Sequence, residues 1–172
     1  MKIIDPLAIP ESDLPLVMFT DDMLSYISLR IKGHSKGLYS HIGLVVHKDK
    51  FASQLFTTFR EVDIRDYMKR HYRIKFYKII GTAKQKRRII RIVEQQLAKS
   101  VFARLYDYLG VIGVRIGMRW LQIPFLNYCS EFVIKALKVL YKFKPRRTPA
   151  EMNKRMEILP KKFKYYGHYI VD

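Results

Sequence analysis

The chain has a single cysteine among its 172 residues. No disulfide can close within it, and no cysteine-rich zinc framework can form. Acids are scarce, with 15 aspartates and glutamates against 33 lysines and arginines, which gives a formal charge of +18. A field of that sign calls for anionic company: nucleic acid, an anionic membrane surface or an acidic polymer. Long apolar runs are missing as well. The nearest approach, residues 109–126, is interrupted by Arg115 and Arg119, so it reads as an amphipathic or core helix rather than a membrane span. Asp5 and Pro6 break the N-terminal apolar stretch before a secretory signal can develop. The expected location is therefore cytoplasmic. HExxH, GxxxxGK[ST] and GxGxxG are all absent, so neither zinc hydrolysis nor nucleotide or dinucleotide binding has support, and no cofactor is expected. There is no repeat, low-complexity tract or Gly/Ser linker. With 49% apolar and 13% aromatic residues, the chain can bury a core, and one domain over 1–172 is the expectation.

What is present divides into two halves. In the first half, Leu14–Phe19 is a short apolar run, and Ser25–Lys32 reads as a short helix. His41–His47 alternates at period two, with Ile42, Leu44 and Val46 on one face. Lys48 and Asp49 make a polar turn, and Phe51–Phe59 returns as a second strand. Arg73–Ile80 alternates as a third. The second half is helical. Lys84–Tyr106 carries Ile89, Val93, Leu97 and Val101 at spacing four, and Asn127–Leu140 carries Phe132, Val133, Ala136, Leu137 and Leu140. Thr148-Pro149-Ala150-Glu151 is a capping box with proline at the first helical position. Tyr165–Val171 closes as a strand. The fold class is α+β, an antiparallel sheet packed against helices.

Cys129 falls in the first turn of the Asn127–Leu140 helix, with Asn127 placed to cap it. Unsatisfied backbone N–H groups and the positive end of the helix dipole favour the thiolate there. Against this stands the usual fate of a lone cysteine, which is burial in a core. A nucleophilic sulfur needs a base. Of His34, His41, His47, His71 and His168, His41 opens an apolar strand and is followed two places on by Gly43, which leaves room for a neighbour. His47 shares its period-two face but lies at the turn. His41 and His47, six apart with no acid clustered beside them, make a poor metal site.

Tyr39-Ser40-His41-Ile42-Gly43-Leu44-Val45 resembles the histidine strand of the permuted NlpC-type thiol hydrolases, the YiiX/YaeF-like branch of the papain-like superfamily. Tyr128-Cys129-Ser130-Glu131-Phe132-Val133 resembles the cysteine helix of that branch. Tyr106-Asp107-Tyr108-Leu109-Gly110 is similar to the segment leading into it, and Thr148-Pro149-Ala150-Glu151 to the helix start that follows. Histidine before cysteine is the permuted order. The resemblance implies a circularly permuted papain-like fold with Cys129 as nucleophile, His41 as general base and a third polar side chain on the next strand to orient the ring. It further implies a backbone N–H of Cys129 as oxyanion donor, and peptide, peptidoglycan or lipid acyl substrates. The branch often carries a glutamate at the third position, whereas residues 51–60 contain no acid. The candidates are Ser53, Gln54, Thr57 and Thr58. A two-residue turn at Lys48-Asp49 pairs His41 with Phe56 and leaves Gln54 and Thr58 as same-face diagonal neighbours. A three-residue turn pairs His41 with Thr57 instead. Gln54 is favoured because its amide oxygen accepts from an imidazole N–H and reaches further than a hydroxyl.

The densest basic runs are Lys84-Gln85-Lys86-Arg87-Arg88, Lys142–Arg147, and Lys161, Lys162 and Lys164 beside Tyr165 and Tyr166. No RRM, KH, helix-turn-helix or zinc-finger signature accompanies them. A second reading thus comes from another class: a catalytically weak or silent basic binding module for nucleic acid, an anionic membrane or a protein partner.

Overall fold

A computed structural model describes residues 2–21, 38–54, 58–69, 73–100, 104, 129–144 and 147–170. Six strands form one antiparallel sheet: β1 (Leu16–Asp21), β2 (His41–His47), β3 (Lys50–Gln54), β4 (Phe59–Asp63), β5 (Arg73–Ile79) and β6 (Phe163–Ile170). Their order across the sheet is β4-β3-β2-β1-β5-β6. Among the described residues four α-helices accompany them: α1 (Ile64–Met68), α2 (Ala83–Leu97), α3 (Cys129–Leu137) and α4 (Pro149–Glu157). The fold is α+β, as the apolar periodicities imply.

Both faces of the sheet are covered. The pleat sends Val17, Phe19, Ile42, Leu44, Tyr77 and Ile79 to one side, where they join Ile89 and Val93 of α2, Phe132, Val133 and Leu137 of α3, and Met152 and Met156 of α4. It sends Leu16, Met18, Val45, Phe51, Ile74 and Phe76 to the other, where Ile9 and Ile64 close over them. Burial of each such large apolar side chain contributes about 1.5–3 kcal/mol. A strand buried on both faces reads as a continuous apolar run rather than as alternation. That explains why β1, buried along its whole length, appears in the sequence as an unbroken Leu14–Phe19 block.

Several boundaries differ from the sequence reading. Phe51–Phe59 is not one strand: β3 ends at Gln54 and β4 starts at Phe59. The short helix α1 after β4 has too few residues to show a helical period. The long helical pattern from Lys84 stops at Leu97, well before Tyr106. Its start is sharp, because Thr82 and Gln85 exchange both bonds of a capping box. Thr148 and Glu151 do the same at α4, with Pro149 in its first turn. Ser25–Lys32 and Tyr106–Gly110 lie outside the described residues, as does most of 109–126. No helix among the described residues is long and apolar enough to cross a membrane.

Candidate active site at the start of β2

Two elements build the site. Helix α3 lies on the sheet against β2 and β3, fastened by Phe132, whose ring sits 4.2 Å from that of Phe59. Its first residue, Cys129, is thereby brought to the start of β2. There the backbone N–H of Ile42 hydrogen-bonds to the sulfur, and Cys129 packs with Ile42 and Leu44 on one face of the sheet, whereas the His41 ring packs on Phe51, which belongs to the opposite face. Ser130, next along, donates its hydroxyl to the Arg147 carbonyl and ties the helix start to the segment leading into α4.

Cys129 is buried, with 4% of its surface exposed. Burial pushes the thiol up to about 11, although backbone N–H groups of Ile42, Ser130 and Cys129 itself pull the other way. Desolvation of the charged form outweighs the donors at the helix start. Of the two tendencies weighed for Cys129 in the sequence, the helix start and core burial, burial acts the more strongly on the thiol.

Opposite Gly43 the chain is tightly packed. A Cβ on Gly43 would come within 2.6 Å of the Ala52 carbonyl and 2.7 Å of the Ser53 Cβ, so only glycine fits. This close approach brings the Ser53 hydroxyl to 2.7 Å from His41 Nε2. The same hydroxyl lies 2.8 Å from the Ile42 carbonyl. A carbonyl only accepts, so the single hydroxyl proton goes to Ile42 and the ring is the donor to Ser53. The network therefore places an imidazole proton on Nε2. Phe51 packs edge-on against the same ring, with centroids 6.0 Å apart.

Gln54 goes elsewhere. It is fully buried, donates Nε2 to the Arg104 carbonyl at 2.7 Å, and leaves Oε1 without a partner among the described residues. The Thr58 hydroxyl likewise finds no partner there, and Thr57 lies outside the described residues. The side chain on the His41 ring is thus Ser53, not the favoured Gln54. The reason is a register shift between Val45 and His47. His47 pairs with Lys50, as a two-residue turn requires, but Val45 pairs with Phe51 and Leu44 with Ala52. One extra residue in β2 moves the partner set by one, and a one-residue slip exchanges the faces.

The other histidines fall apart from this place. His47 binds Glu61 of β4 through Nδ1 at 2.7 Å and approaches Glu94 of α2 through Nε2 at 3.7 Å. Neither acid is near it in sequence, which is why its surroundings read as acid-free. His168 lies on β6, three strands from β2 or roughly 14 Å across the ladder. It is held between the hydroxyls of Tyr39 and Tyr165. Burial, Lys75 and Arg73 keep its pKa below the ordinary value. His34 and His71 lie outside the described residues.

A second polar cluster was not singled out from sequence. Lys75 is buried, with its ammonium 2.7 Å from Glu157 and 4.9 Å from the Tyr77 ring centroid. Burial raises the Glu157 carboxyl, but the Lys75 ammonium and the Asn153 and Tyr77 donors leave it below the usual range. The alternation in β5 already put Lys75 on the face of Tyr77; what it could not show is that this face is covered.

No family model matches the sequence, and no curated protein does. A search of solved structures finds the metalloprotein yiiX from Escherichia coli O157:H7, with a TM-score of 0.55 at 14% identity over 90% of this chain and 86% of that one. The chain has a yiiX-like fold. At this identity the likeness speaks to architecture alone.

Proposed function

We propose that this protein is a thiol hydrolase of the permuted papain-like kind, in which Cys129 transfers acyl groups with His41 as its base. The observation that carries the reading is the Ile42 N–H bond to the sulfur, taken with the Ser53 hydroxyl on His41 Nε2. Cys129 shares the face of Ile42 while the His41 ring packs on Phe51 of the other, so in this reading the ring swings around the first residue of β2 to bring Nδ1 to the sulfur. With the proton held on Nε2, Nδ1 is the basic nitrogen.

Because the thiol rests protonated, proton transfer accompanies attack. Sγ adds to the acyl carbon of an amide or ester as its proton passes to His41 Nδ1. The oxyanion so formed takes support from backbone N–H groups at the start of α3. Collapse expels the amine or alcohol, which takes the proton back from the imidazolium, and a thioester on Cys129 remains. Water then attacks the thioester, His41 accepts its proton, and the acid leaves as the thiol reforms. Ser53 orients the ring but, being neutral, adds no charge to stabilise the imidazolium. Peptide or peptidoglycan amides and lipid acyl esters are the substrate classes of this reading. The solved neighbour is named a metalloprotein. The donors here do not fit a metal: among the described residues no three His, Cys, Asp or Glu side chains could hold one.

Burial of Cys129 favours a second reading, a silent site on a fold kept for binding. An activity-based acyl electrophile separates the two. Wild type labels at Cys129 and Cys129→Ala does not, while both melt at the same temperature. Labelling no faster than a free thiol at the same pH removes the hydrolase reading.

A further inference from the structure

Three loci stand outside the proposed site: the Lys75–Glu157–Tyr77 cluster, the His168–Tyr39–Tyr165 triplet, and the cationic end of the molecule where α2 begins. The first two are internally satisfied. The third is not.

Ile80 donates its N–H to the Lys162 carbonyl at 2.8 Å, and Lys162 and Phe163 donate theirs to Leu159. The turn from Ile158 to Lys162 is thus fastened beside the entry to α2. From that entry Lys84, Arg87 and Arg88 lie at helical spacing on the exposed side of α2, opposite the buried Ile89 and Val93. Lys161 is exposed and Lys162 half-exposed on the turn. Among the described residues, none of these five cations makes an ion pair or a side-chain hydrogen bond. The nearest acid in sequence, Glu157, is already held by Lys75. The first turn of α2 carries no acid, so its bases oppose the helix dipole, and of them only Lys86 feels a nearby carboxylate, that of Asp13, among the described residues. The same two segments carry exposed aliphatic side chains, Ile80 at 38% just before α2 and Ile158 at 64% at the start of the turn.

We propose that this end of the molecule docks on an anionic lipid surface. Unpaired cations meet the headgroup phosphates, and Ile80 and Ile158 enter the headgroup–acyl boundary. The aliphatic pair favours lipid over nucleic acid: bases are gripped by aromatic faces on which they stack, whereas an isoleucine in water gains by partition into hydrocarbon. The inference does not depend on Cys129 being active.

Cosedimentation with phosphatidylcholine vesicles, with and without phosphatidylglycerol, tests it beside titration with a single-stranded oligonucleotide. The protein is expected to pellet only with the anionic vesicles. Each lysine near such a surface is worth about 5-fold in affinity, so Lys161→Gln with Lys162→Gln should weaken vesicle binding about 30-fold. Ile80→Ser with Ile158→Ser should weaken it at least about 10-fold while leaving the oligonucleotide affinity unchanged. If the double Ile substitution lowers the melting temperature, Ile158→Ser alone serves, with a several-fold loss expected. Failure to pellet with anionic vesicles overturns the proposal. So does vesicle affinity indifferent to the isoleucines, or an oligonucleotide affinity exceeding that for vesicles, either of which makes this a site for polyanions in solution.

Discussion

Strand β2 begins and ends with a histidine, and its two ends treat the imidazole in opposite ways. At the His47 end the ring lies between two carboxylates, Glu61 at 2.7 Å and Glu94 at 3.7 Å, with 43% of its side chain exposed. At the His41 end a neutral hydroxyl, that of the buried Ser53, meets the half-buried ring, and the neighbouring backbone N–H is given to a sulfur. A search for a histidine backed by an acid would choose the wrong one. An acid beside an exposed imidazole is an ordinary surface pair, whereas the ring at the other end is held by a hydroxyl on a strand whose next residue touches the thiol.

The strongest way to break this contrast is to remove the rings one at a time. His41→Ala should cut labelling of Cys129 by an acyl electrophile about 100- to 10,000-fold, the range that a positioned general base supplies. The pH profile sharpens the test. With His41 in place, the rate should level off near neutrality. In His41→Ala, the thiol must ionise unaided, so alkylation by iodoacetamide should keep rising with pH towards about 11, where burial has put its pKa. A flat, fast reaction at neutral pH in that variant would show that His41 is not the base. The same shift bears on stability. The folded thiol titrates above its unfolded value, so its contribution is complete below pH 9.0 and is lost as pH rises towards 11.

The crowding at the His41 end predicts the next largest effect. Gly43→Ala sets a methyl against the Ala52 backbone at 2.6 Å, and a carbonyl in a ladder cannot step aside. Urea denaturation should show a loss of about 1–3 kcal/mol, together with slower labelling as Ser53 is pushed from the ring. Ser53→Ala, which removes the hydroxyl without crowding, should slow labelling about 10- to 100-fold, the usual cost of losing an orienting partner. Gln54→Ala should leave the rate much closer to wild type, since its amide is spent on the Arg104 carbonyl.

That last pair shows where the sequence stopped being legible. Strand β2, helix α3 and the capping box at Thr148 are written in period two, period 3.6 and cap chemistry, and each can be read locally. The partner of His41 is not local. It depends on the pairing register of β2 and β3, and a two-residue turn alone selects Gln54. The register shift between Val45 and His47 has no signature: no glycine marks it, and Val45-Val46-His47 continues a good strand pattern. The turn itself is equally quiet, because its left-handed residue is Asp49, with φ 58°. In the same way, the helix dipole argued for a thiolate at Cys129, while the burial that reverses this comes from sheet and helix packing around the sulfur.

The smallest effect belongs to the other end of the strand. His47→Gln keeps a hydrogen-bond donor for Glu61 and removes only an ion pair whose partners are 43% and 23% exposed. Pairs of that kind contribute about 0–1 kcal/mol, so the urea midpoint should move little. The decisive readout is the labelling rate of Cys129, which should match wild type. His47 follows a register shift and engages acids on β4 and α2, so its loss has no direct route to the sulfur. A slowed reaction in His47→Gln with unchanged stability would mean that the two ends of β2 are coupled, and the tautomer argument at His41 would have to include the charge on Glu61 and Glu94.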